Sequence, residues 1–343
     1  MSNISALYEY VNSKKFKQAL KINEEHEISI EMLAQGEYNI NYKFYHPDLK
    51  KMLVLRVNTH SQMNLENQIE YEYNALKLIE SSGRTPKVFY VDGSKKDIEF
   101  GILVMEYLEG RHLDYKTDMK LAAECLADIH SIKTIKNELI YYEKPLKAIL
   151  TECEQMFKIY FESELAEDKK KFQIRRMLDK IWLKINKLDN INCESKVANK
   201  KYKCCINTEL NSTNFLINSE GKKNYLIDWE KPLFGEVAQD LGHFLAPTTT
   251  FWKTDVILSQ SEIDDFISTY IKSVNGRFET DTLREDVDLF IPVTCLRGIT
   301  WCAMAWIEYR DPNKLIFNQS TFDKLNQYLS DEFLNDIEKR ISK

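Results

Sequence analysis

The alternation of apolar and polar residues changes character about a third of the way along the chain. Before that point, residues 38–46 alternate like a half-buried strand. Four other segments are strand-like: ISIEMLAQ before it, and KKMLVLRV, KVFYVD and EFGILVMEY after it. Residues 62–80 repeat apolar side chains at helical spacing, and so do residues 3–22. This pattern predicts a five-stranded antiparallel sheet with one helix inserted after the third strand.

Beyond Leu108 the pattern becomes that of long helices. Helical spacing recurs in six segments: 116–132, 145–163, 167–189, 260–274, 281–309 and 319–341. Residues 190–200 are predicted to form a polar loop, and strand-like segments return only at KYKCCI, NFLIN and NYLID. We therefore predict an α+β fold in which a small antiparallel sheet precedes a mainly helical part.

Composition limits the partners of the chain. With a net charge of −6 and no basic patch interleaved with aromatic residues, no binding to nucleic acid or to an anionic membrane is expected. The most apolar C-terminal stretch, Leu289 to Ile307, contains Arg297, so no transmembrane span is predicted. Seven cysteines without C-x-x-C spacing, together with a polar N-terminus, indicate reduced thiols in a cytoplasmic protein. These features do not predict the oligomeric state.

One charged residue interrupts the third predicted strand. Arg56 lies inside LVLRV, where a charge is costly unless it faces a cleft or a partner. Glu72, in the following predicted helix, is a suitable partner, although an arginine on the exposed face of an edge strand would give the same pattern. The turn that joins the first two predicted strands contains Gly36 and Asn39. It either lets the backbone approach a phosphate closely or is a plain hairpin loop.

The segment CCINTELNSTNFLINSEGKKNYLIDWEKP combines a hairpin with several oxygen donors. Asn214 opens its first short strand and Asp228 closes its second, so the hairpin predicts both at one end. An amide oxygen and a carboxylate there can share a Mg²⁺ ion. Glu209, on the preceding loop, is placed to take a proton from an attacking hydroxyl. With Arg56 and the Gly36 turn, these residues supply what binding of a nucleoside triphosphate requires.

The same residues resemble a known family. Kinase-like small-molecule phosphotransferases, of the aminoglycoside phosphotransferase and choline kinase type, carry H-G-D-x-x-x-x-N, then a strand turn and I-D-[FW]-E. This chain has NTELNSTN from Asn207 and IDWE at residues 227–230. GEVAQDLGHFLA is similar to the segment that follows in the family, with Asp240 at the position of its acidic residue. LAQGEYNINYKF resembles the glycine loop, and ILVMEYLEG resembles the hinge.

The resemblance covers residues 30 to 310 approximately and implies a protein-kinase-like two-lobed fold. The expected lobes are a nucleotide-binding lobe at 1–108, with a helical extension at 1–27, and a helical lobe at 109–343 with a catalytic loop at 206–232. ATP or GTP and Mg²⁺ are the implied cofactors. The implied site residues are Glu209, Asn214 and Asp228 for catalysis, Asn214 and Asp228 for the metal, and Gly36, Asn39, Arg56, Glu72, Met105, Glu106 and Tyr107 for the nucleotide, the last three through the adenine.

Three positions depart from the family pattern. Arg56 stands where lysine is usual, although choline kinases also have arginine there. Asn207 replaces the histidine of the loop, and Glu209 replaces its aspartate. Glutamate keeps the proton-accepting chemistry but displaces the carboxylate by up to about 1.5 Å. Two hypotheses follow: a phosphotransferase acting on a small hydroxylated molecule, or a nucleotide-binding pseudokinase that regulates or scaffolds. The retained metal and phosphate ligands favour the enzyme.

The acceptor is the least defined part of the prediction. Acidic and aromatic residues that could line its pocket are Glu230, Asp240, Trp301, Trp306 and Glu308. Such a pocket would suit an amine or a quaternary ammonium. The alternative is that the tryptophans belong to the core, at helical spacing. An aminoglycoside, choline, ethanolamine or a sugar-like molecule are the acceptors left open.

Overall fold

The computed structural model describes residues 4–36, 38–61, 63–135, 138–194, 201–311 and 318–341, with the side chains of 191–194 excepted. The strands are β1 (Glu31–Gln35), β2 (Asn39–His46), β3 (Lys51–Asn58), β4 (Val88–Asp92), β5 (Gly101–Glu106), β6 (Arg111–His112), β7 (Lys203–Ile206), β8 (Phe215–Ile217), β9 (Tyr225–Leu226) and β10 (Leu233–Glu236). The helices are α1 (Ile4–Asn12), α2 (Lys14–Leu20), α3 (Gln68–Ile79), α4 (Met119–His130), α5 (Pro145–Glu162), α6 (Asp168–Glu194), α7 (Val237–Leu245), α8 (Pro247–Thr254), α9 (Gln260–Val274), α10 (Leu283–Glu308), α11 (Gln319–Tyr328) and α12 (Asp331–Ile341).

The chain divides into two compact units. The first unit comprises the chain up to Ile140 and the segment Thr213–Phe234. The second comprises Tyr141–Ser212 and the chain from Gly235 onwards. The predicted boundary between lobes at residue 108 stays a prediction.

The sheet of the first unit is covered by helices on both faces. Its strand order is β1-β2-β3-β5-β4, with antiparallel neighbours and α3 inserted after β3, as predicted. Because side chains alternate along a strand, Leu55 and Val57 face one side and join a core with Phe16 of α2. Arg56 therefore points to the opposite face, where its guanidinium meets Glu72 of α3.

A second, three-stranded sheet of the first unit contains the hairpin β8–β9. Its strand order is β6-β8-β9. Gly110, just before β6, has φ +152°, and a Cβ there would lie 2.8 Å from the Cβ of Leu216 and 2.9 Å from its carbonyl carbon. Only glycine lets the chain pass β8 this closely. Glycine at this position therefore allows the hairpin to pack closely against the chain that follows β5.

The second unit is built around the long helix α10. Its buried residues pack with those of α5, α6, α11 and α12 in one apolar core. Among the described helices, α10 is the one long and apolar enough to cross a membrane by length and composition, but 61% of its apolar window is buried inside the protein. A largely buried apolar helix is also what the centre of a globular core requires.

The α+β prediction is confirmed, and the differences from it are local. The predicted helix 3–22 is two helices, since Ser13 caps α2 by accepting the amide of Phe16 at 3.3 Å. The predicted helix 319–341 is also two, α11 and α12, with Ser330 accepting the amide of Phe333 between them. Residues 190–194 belong to α6 rather than to a loop, and residues 195–200 lie outside the described residues.

Candidate functional site

Arg56 is the centre of a charged cluster in the first unit. Its Nη1 lies 2.6 Å from Oε1 of Glu72 and 3.5 Å from Oε1 of Glu230. Its Nη2 lies 3.4 Å from Oδ1 of Asp228, and its Nε donates to Oδ1 of Asn41 at 3.1 Å. Three carboxylates thus surround one guanidinium whose side chain is 6% exposed. The interpretation of Arg56 as an exposed arginine on an edge strand is excluded, because β3 is the central strand of the sheet.

The charges of this cluster depend on each other. Burial alone would lower the pKa of Arg56, but Glu72, Asp228 and Glu230 outweigh it, so the pKa is raised and the arginine stays protonated. Burial raises the pKa of Glu72, against the opposing effect of Arg56. In the buried pair of Arg56 and Glu72, each charge is therefore stabilised by the other instead of by water.

Glu230 is a third carboxyl group of the cluster, and its surroundings are partly polar. Its carboxylate accepts a hydrogen bond from the side chain of Asn39, whose own Oδ1 accepts from Asn58 at 2.9 Å. Burial, and then the charge of Asp228, raise the pKa of Glu230 to about 8, although Arg56 and Asn39 act in the other direction. The sequence indicated Glu230 as an acceptor contact, whereas the structure places it against Arg56 and Asn39.

The raised pKa of Glu230 predicts that stability falls with rising pH. The folded-state value of about 8 lies above the ordinary 4.5, so between these values the folded protein keeps a proton that the unfolded chain has released. This contribution is complete below pH 4.5 and is lost as the pH rises through 8. We expect a loss on the order of 3 kcal/mol, from 1.4 kcal/mol per pKa unit reduced for residual solvent contact. Urea denaturation between pH 5 and 8.5 measures it.

The matched control for this titration is a glutamate of the same unit. Glu230→Gln should flatten the pH dependence, while Glu109→Gln, at an exposed position, should leave it unchanged. An unaltered slope in Glu230→Gln would assign the titration to another group.

Asn214 and Asp228 lie at the same end of the hairpin, as predicted. The carbonyl of Asn214 accepts the amide of Ile227 at 2.9 Å, directly before Asp228. Asp228 has a left-handed backbone, φ +66°, which non-glycine residues adopt rarely. The neighbouring Trp229, 1% exposed, anchors the turn through its Nε1, which donates to the carbonyl of Leu226 at 3.2 Å.

These two residues fit the ligand preference of Mg²⁺. An amide oxygen and a carboxylate are hard donors, and the side chain of Asp228 is 40% exposed and accessible. Within the described ranges, no group of three or more His, Cys, Asp or Glu side chains is arranged to hold a metal. A pair of protein ligands is typical of Mg²⁺ that is bound together with phosphates and water rather than in a cage of protein side chains.

The Gly36 turn is closed without needing glycine. The amide of Gly36 donates to the carbonyl of Asn39 at 2.9 Å. A Cβ on Gly36 would meet that carbonyl oxygen at 3.6 Å, an ordinary contact, and its φ is not in the left-handed region. The fold alone would therefore accept alanine here. Glycine at this exposed position is consistent with the approach of a ligand to the backbone.

The predicted hinge residues follow one another at the end of β5. Met105 lies inside the sheet, opposite Val54 and Val88, and is 8% exposed. The amide of Glu106 donates to the carbonyl of Lys87 at 2.8 Å, so this donor is used by the fold. Tyr107 follows the strand and is half-buried. Adenine recognition by Met105, Glu106 and Tyr107 stays a prediction.

The loop that carries Glu209, in the second unit, is fixed by hydrogen bonds to a buried aspartate. Asp240, fully buried on α7, accepts the amides of Asn207 at 2.7 Å and Thr208 at 2.6 Å. Thr208 has φ +70°, and the side chain of Asn207 accepts the amide of Glu209 at 3.1 Å. This Asx-turn gives the asparagine a local structural role. Asp240, predicted as an acceptor contact, binds these two amides, and a contact with the acceptor stays a prediction.

Glu209 has a partner that the sequence did not indicate. Its Oε1 lies 3.8 Å from Nη2 of Arg297 on α10, and Arg297 also contacts Glu152 on α5, with Nε 3.1 Å from Oε2. In the sequence Arg297 is an arginine inside an apolar helix, and nothing near it in the chain indicates Glu209 as its partner.

The remaining predicted acceptor residues have separate surroundings on α10. Trp301 is 37% exposed and meets Trp252 edge-on, with ring centroids 5.4 Å apart. Trp306 packs against Tyr160, and its Nε1 donates to Asn326 at 2.9 Å. Glu308 is exposed at the end of the helix. Trp306 therefore belongs mainly to the core, whereas Trp301 is accessible.

Comparison with known sequences decides the family. The sequence model of the phosphotransferase enzyme family (APH) matches residues 29–270, which is well over half of the chain. The chain belongs to the APH phosphotransferase family. This range contains every predicted catalytic, metal and nucleotide residue. No curated protein sequence matches the chain.

Solved structures show the APH fold over the whole chain. A candidate aminoglycoside phosphotransferase from Ralstonia eutropha JMP134 matches with a TM-score of 0.68 at 11% identity, covering 100% of this chain and 99% of that one. Spectinomycin phosphotransferase, solved with ADP and spectinomycin, gives 0.62 at 14% identity with 98% of each chain covered. Choline kinase from Cryptosporidium parvum Iowa II also gives 0.62 at 14% identity, covering 99% of this chain and 96% of that one. At these identities the likeness is one of fold.

Proposed function

We propose that this APH-family chain transfers the γ-phosphoryl group of ATP or GTP to a hydroxyl of a small molecule, with Mg²⁺. The observation that carries the proposal is the buried Arg56, fixed by Glu72 at 2.6 Å and in contact with Asp228. Burying the charged pair of Arg56 and Glu72 is costly, and a purely structural role would not require the partly exposed Asp228 beside it. A nucleotide with its metal ion supplies the charges that such a cluster is suited to meet.

The predicted catalytic, metal and nucleotide residues each have a role in this proposal. Arg56 binds the α- and β-phosphates as a fixed cation, and the turn of Gly36 and Asn39 lets the backbone lie close over them. Asn214 and Asp228 would hold Mg²⁺, which when bound neutralises phosphate charge. The backbone of residues 105–107 holds the adenine.

Glu209 completes the proposed chemistry as the proton acceptor. The acceptor oxygen forms a bond to the γ-phosphorus while the bond from that phosphorus to the β-bridging oxygen breaks. The hydroxyl proton passes to the Glu209 carboxylate, and the nucleoside diphosphate leaves with the bridging electrons. Release of the proton to water restores the carboxylate.

The acceptor class follows from related folds and from charge. The spectinomycin phosphotransferase was solved with spectinomycin, and an ethanolamine kinase from Plasmodium vivax is 16% identical to this chain. In this chain the accessible Trp301 and the carboxylates Glu152 and Glu209 favour a hydroxylated amine. We propose a cytoplasmic location, in keeping with the six described cysteines, which are all free thiols.

An acceptor panel tests the proposal. Purified protein is assayed with Mg²⁺ and ATP or GTP against aminoglycosides, choline, ethanolamine and sugars. We expect one acceptor class to be phosphorylated, and Glu209→Ala to lower kcat about 10²–10⁴-fold by removing the general base. Nucleotide binding without turnover of any acceptor, with Glu209→Ala unchanged, would support the pseudokinase that the glutamate at 209 also permits. Failure to bind nucleotide would reject both.

A further inference from the structure

In the second unit, Glu209 has a contact that the aspartate of the family pattern would not make at this position. Arg297 lies between two carboxylates: Glu152, at 3.1 Å and 3.5 Å from its Nε and Nη2, and Glu209, at 3.8 Å from Nη2. Arg297 is 21% exposed, and Glu209 is 31% exposed. The guanidinium therefore has an anchor on α5 and one arm directed at the loop.

Hydrogen bonds fix the backbone of the loop at Glu209, so the reach of its carboxylate depends on the length of the side chain. The amide of Glu209 is held by Asn207, and its carbonyl accepts from the side chain of Asn211 at 3.1 Å. Asp240 fixes the two preceding residues through their amides. From this fixed backbone an aspartate would withdraw its carboxylate from Arg297 by up to about 1.5 Å. The contact at 3.8 Å would then be lost, so the pairing with Arg297 is available to glutamate and not to aspartate.

We propose that Arg297, anchored by Glu152, is a positioning residue for Glu209 in the transfer reaction. The inference rests on the proposed function, in which Glu209 accepts the proton. Arg297 restricts the longer side chain to one arrangement, so the extra methylene does not misplace the base. Arginine suits this role because its planar fork contacts two carboxylates at once and does not lose its proton.

The surrounding charges agree with this role. Burial alone would lower the pKa of Arg297, but Glu152 and Glu209 outweigh it and raise the pKa. Arg297 is thus a permanent cation with two acidic neighbours. Arg175, which pairs with Glu154 on the same helix α5, is a similar but separate ion pair.

A double-mutant cycle measures the coupling. Wild type, Arg297→Gln, Glu209→Asp and the double variant are compared by kcat and by KM for nucleotide and acceptor. We expect Arg297→Gln to lower kcat about 10- to 100-fold with the nucleotide KM unchanged, the range that a misplaced catalytic group costs. In the Glu209→Asp background the same change should alter kcat less than about twofold, because the shorter side chain does not reach Arg297. Arg297→Lys should restore part of the loss.

Controls separate positioning from folding. Arg175→Gln removes an ion pair of the same kind and should leave kcat unchanged. Urea denaturation of Arg297→Gln should show the same cooperative transition as wild type. Additive effects of Arg297→Gln and Glu209→Asp would overturn the inference, and a change confined to the acceptor KM would assign Arg297 to acceptor binding instead. A wild type without turnover would remove the proposed function and the inference together.

Discussion

Replacing Arg56 with methionine should lower the free energy of unfolding by about 3–5 kcal/mol at pH 7.5, the cost of leaving a buried charge without its partner. Glu72, 2% exposed, would then keep its carboxylate in the apolar face between β3 and α3. Since burial already raises the pKa of Glu72, losing the cation should raise it further, so protonation relieves part of the cost at low pH. Urea denaturation at pH 5.5 and 7.5 should therefore show the larger loss at the higher pH.

The control for this prediction removes both members of the pair. Arg56→Met combined with Glu72→Leu should recover much of the stability, because two apolar side chains of similar size can fill the same space. The double variant should still lose nucleotide binding. If Arg56→Met alone is as stable as wild type at pH 7.5, the ion pair does not hold α3 to the sheet.

Asp228→Asn should abolish most turnover without harming the fold. The side chain keeps its shape but loses the charge proposed to hold Mg²⁺, and we expect kcat to fall about 10²–10³-fold, as on removal of a group that stabilises developing charge. Stability should stay equal or increase, because the charge of Asp228 raises the pKa of both Glu72 and Glu230 and so opposes their ionisation. The assay is the acceptor panel together with urea denaturation.

A matched carboxylate of the same unit provides the comparison. Asp128 pairs with Arg84 at 2.8 Å, outside the Arg56 cluster, and Asp128→Asn should leave turnover within about twofold of wild type. The Asp228→Asn variant should also show a lower pKa of Glu230, visible as a shift of the pH-dependent loss of stability to lower pH. Full activity in Asp228→Asn would remove the aspartate from the metal site.

The parts of the site that the sequence predicted share a strong local signal. An arginine inside an apolar strand requires compensation, and the helix that follows offered one carboxylate on its buried stripe. Burial cost therefore indicated Glu72 as a partner of Arg56, although the exposed face of an edge strand stayed an alternative until the structure placed β3 at the centre of the sheet. The hairpin likewise predicted Asn214 and Asp228 at one end, because a short turn between apolar strands fixes their register.

The contacts that the sequence did not indicate join residues that are distant in the chain. Glu230 and Asp240 are carboxylates whose sequence surroundings suit an acceptor pocket equally well. The contacts that the structure adds are with Asn39 for Glu230 and with the amides of residues 207 and 208 for Asp240. The contact of Arg297 with Glu209 joins a loop to the middle of a helix, and no short-range pattern encodes it.

Helix α3 is bound to residues 230–232, which follow β9, by hydrogen bonds as well as by charge. Gln68 donates to the carbonyl of Glu230 at 2.7 Å, and the hydroxyl of Tyr71 donates to the carbonyl of Pro232 at 2.6 Å. Glu72 lies one residue further along the same helix. A movement of α3 that withdrew Glu72 from Arg56 would have to break these two hydrogen bonds too, so the fold itself fixes the position of the guanidinium. An inward and outward movement of α3 is thereby disfavoured, and the arrangement of Arg56 and Glu72 is built into the resting fold.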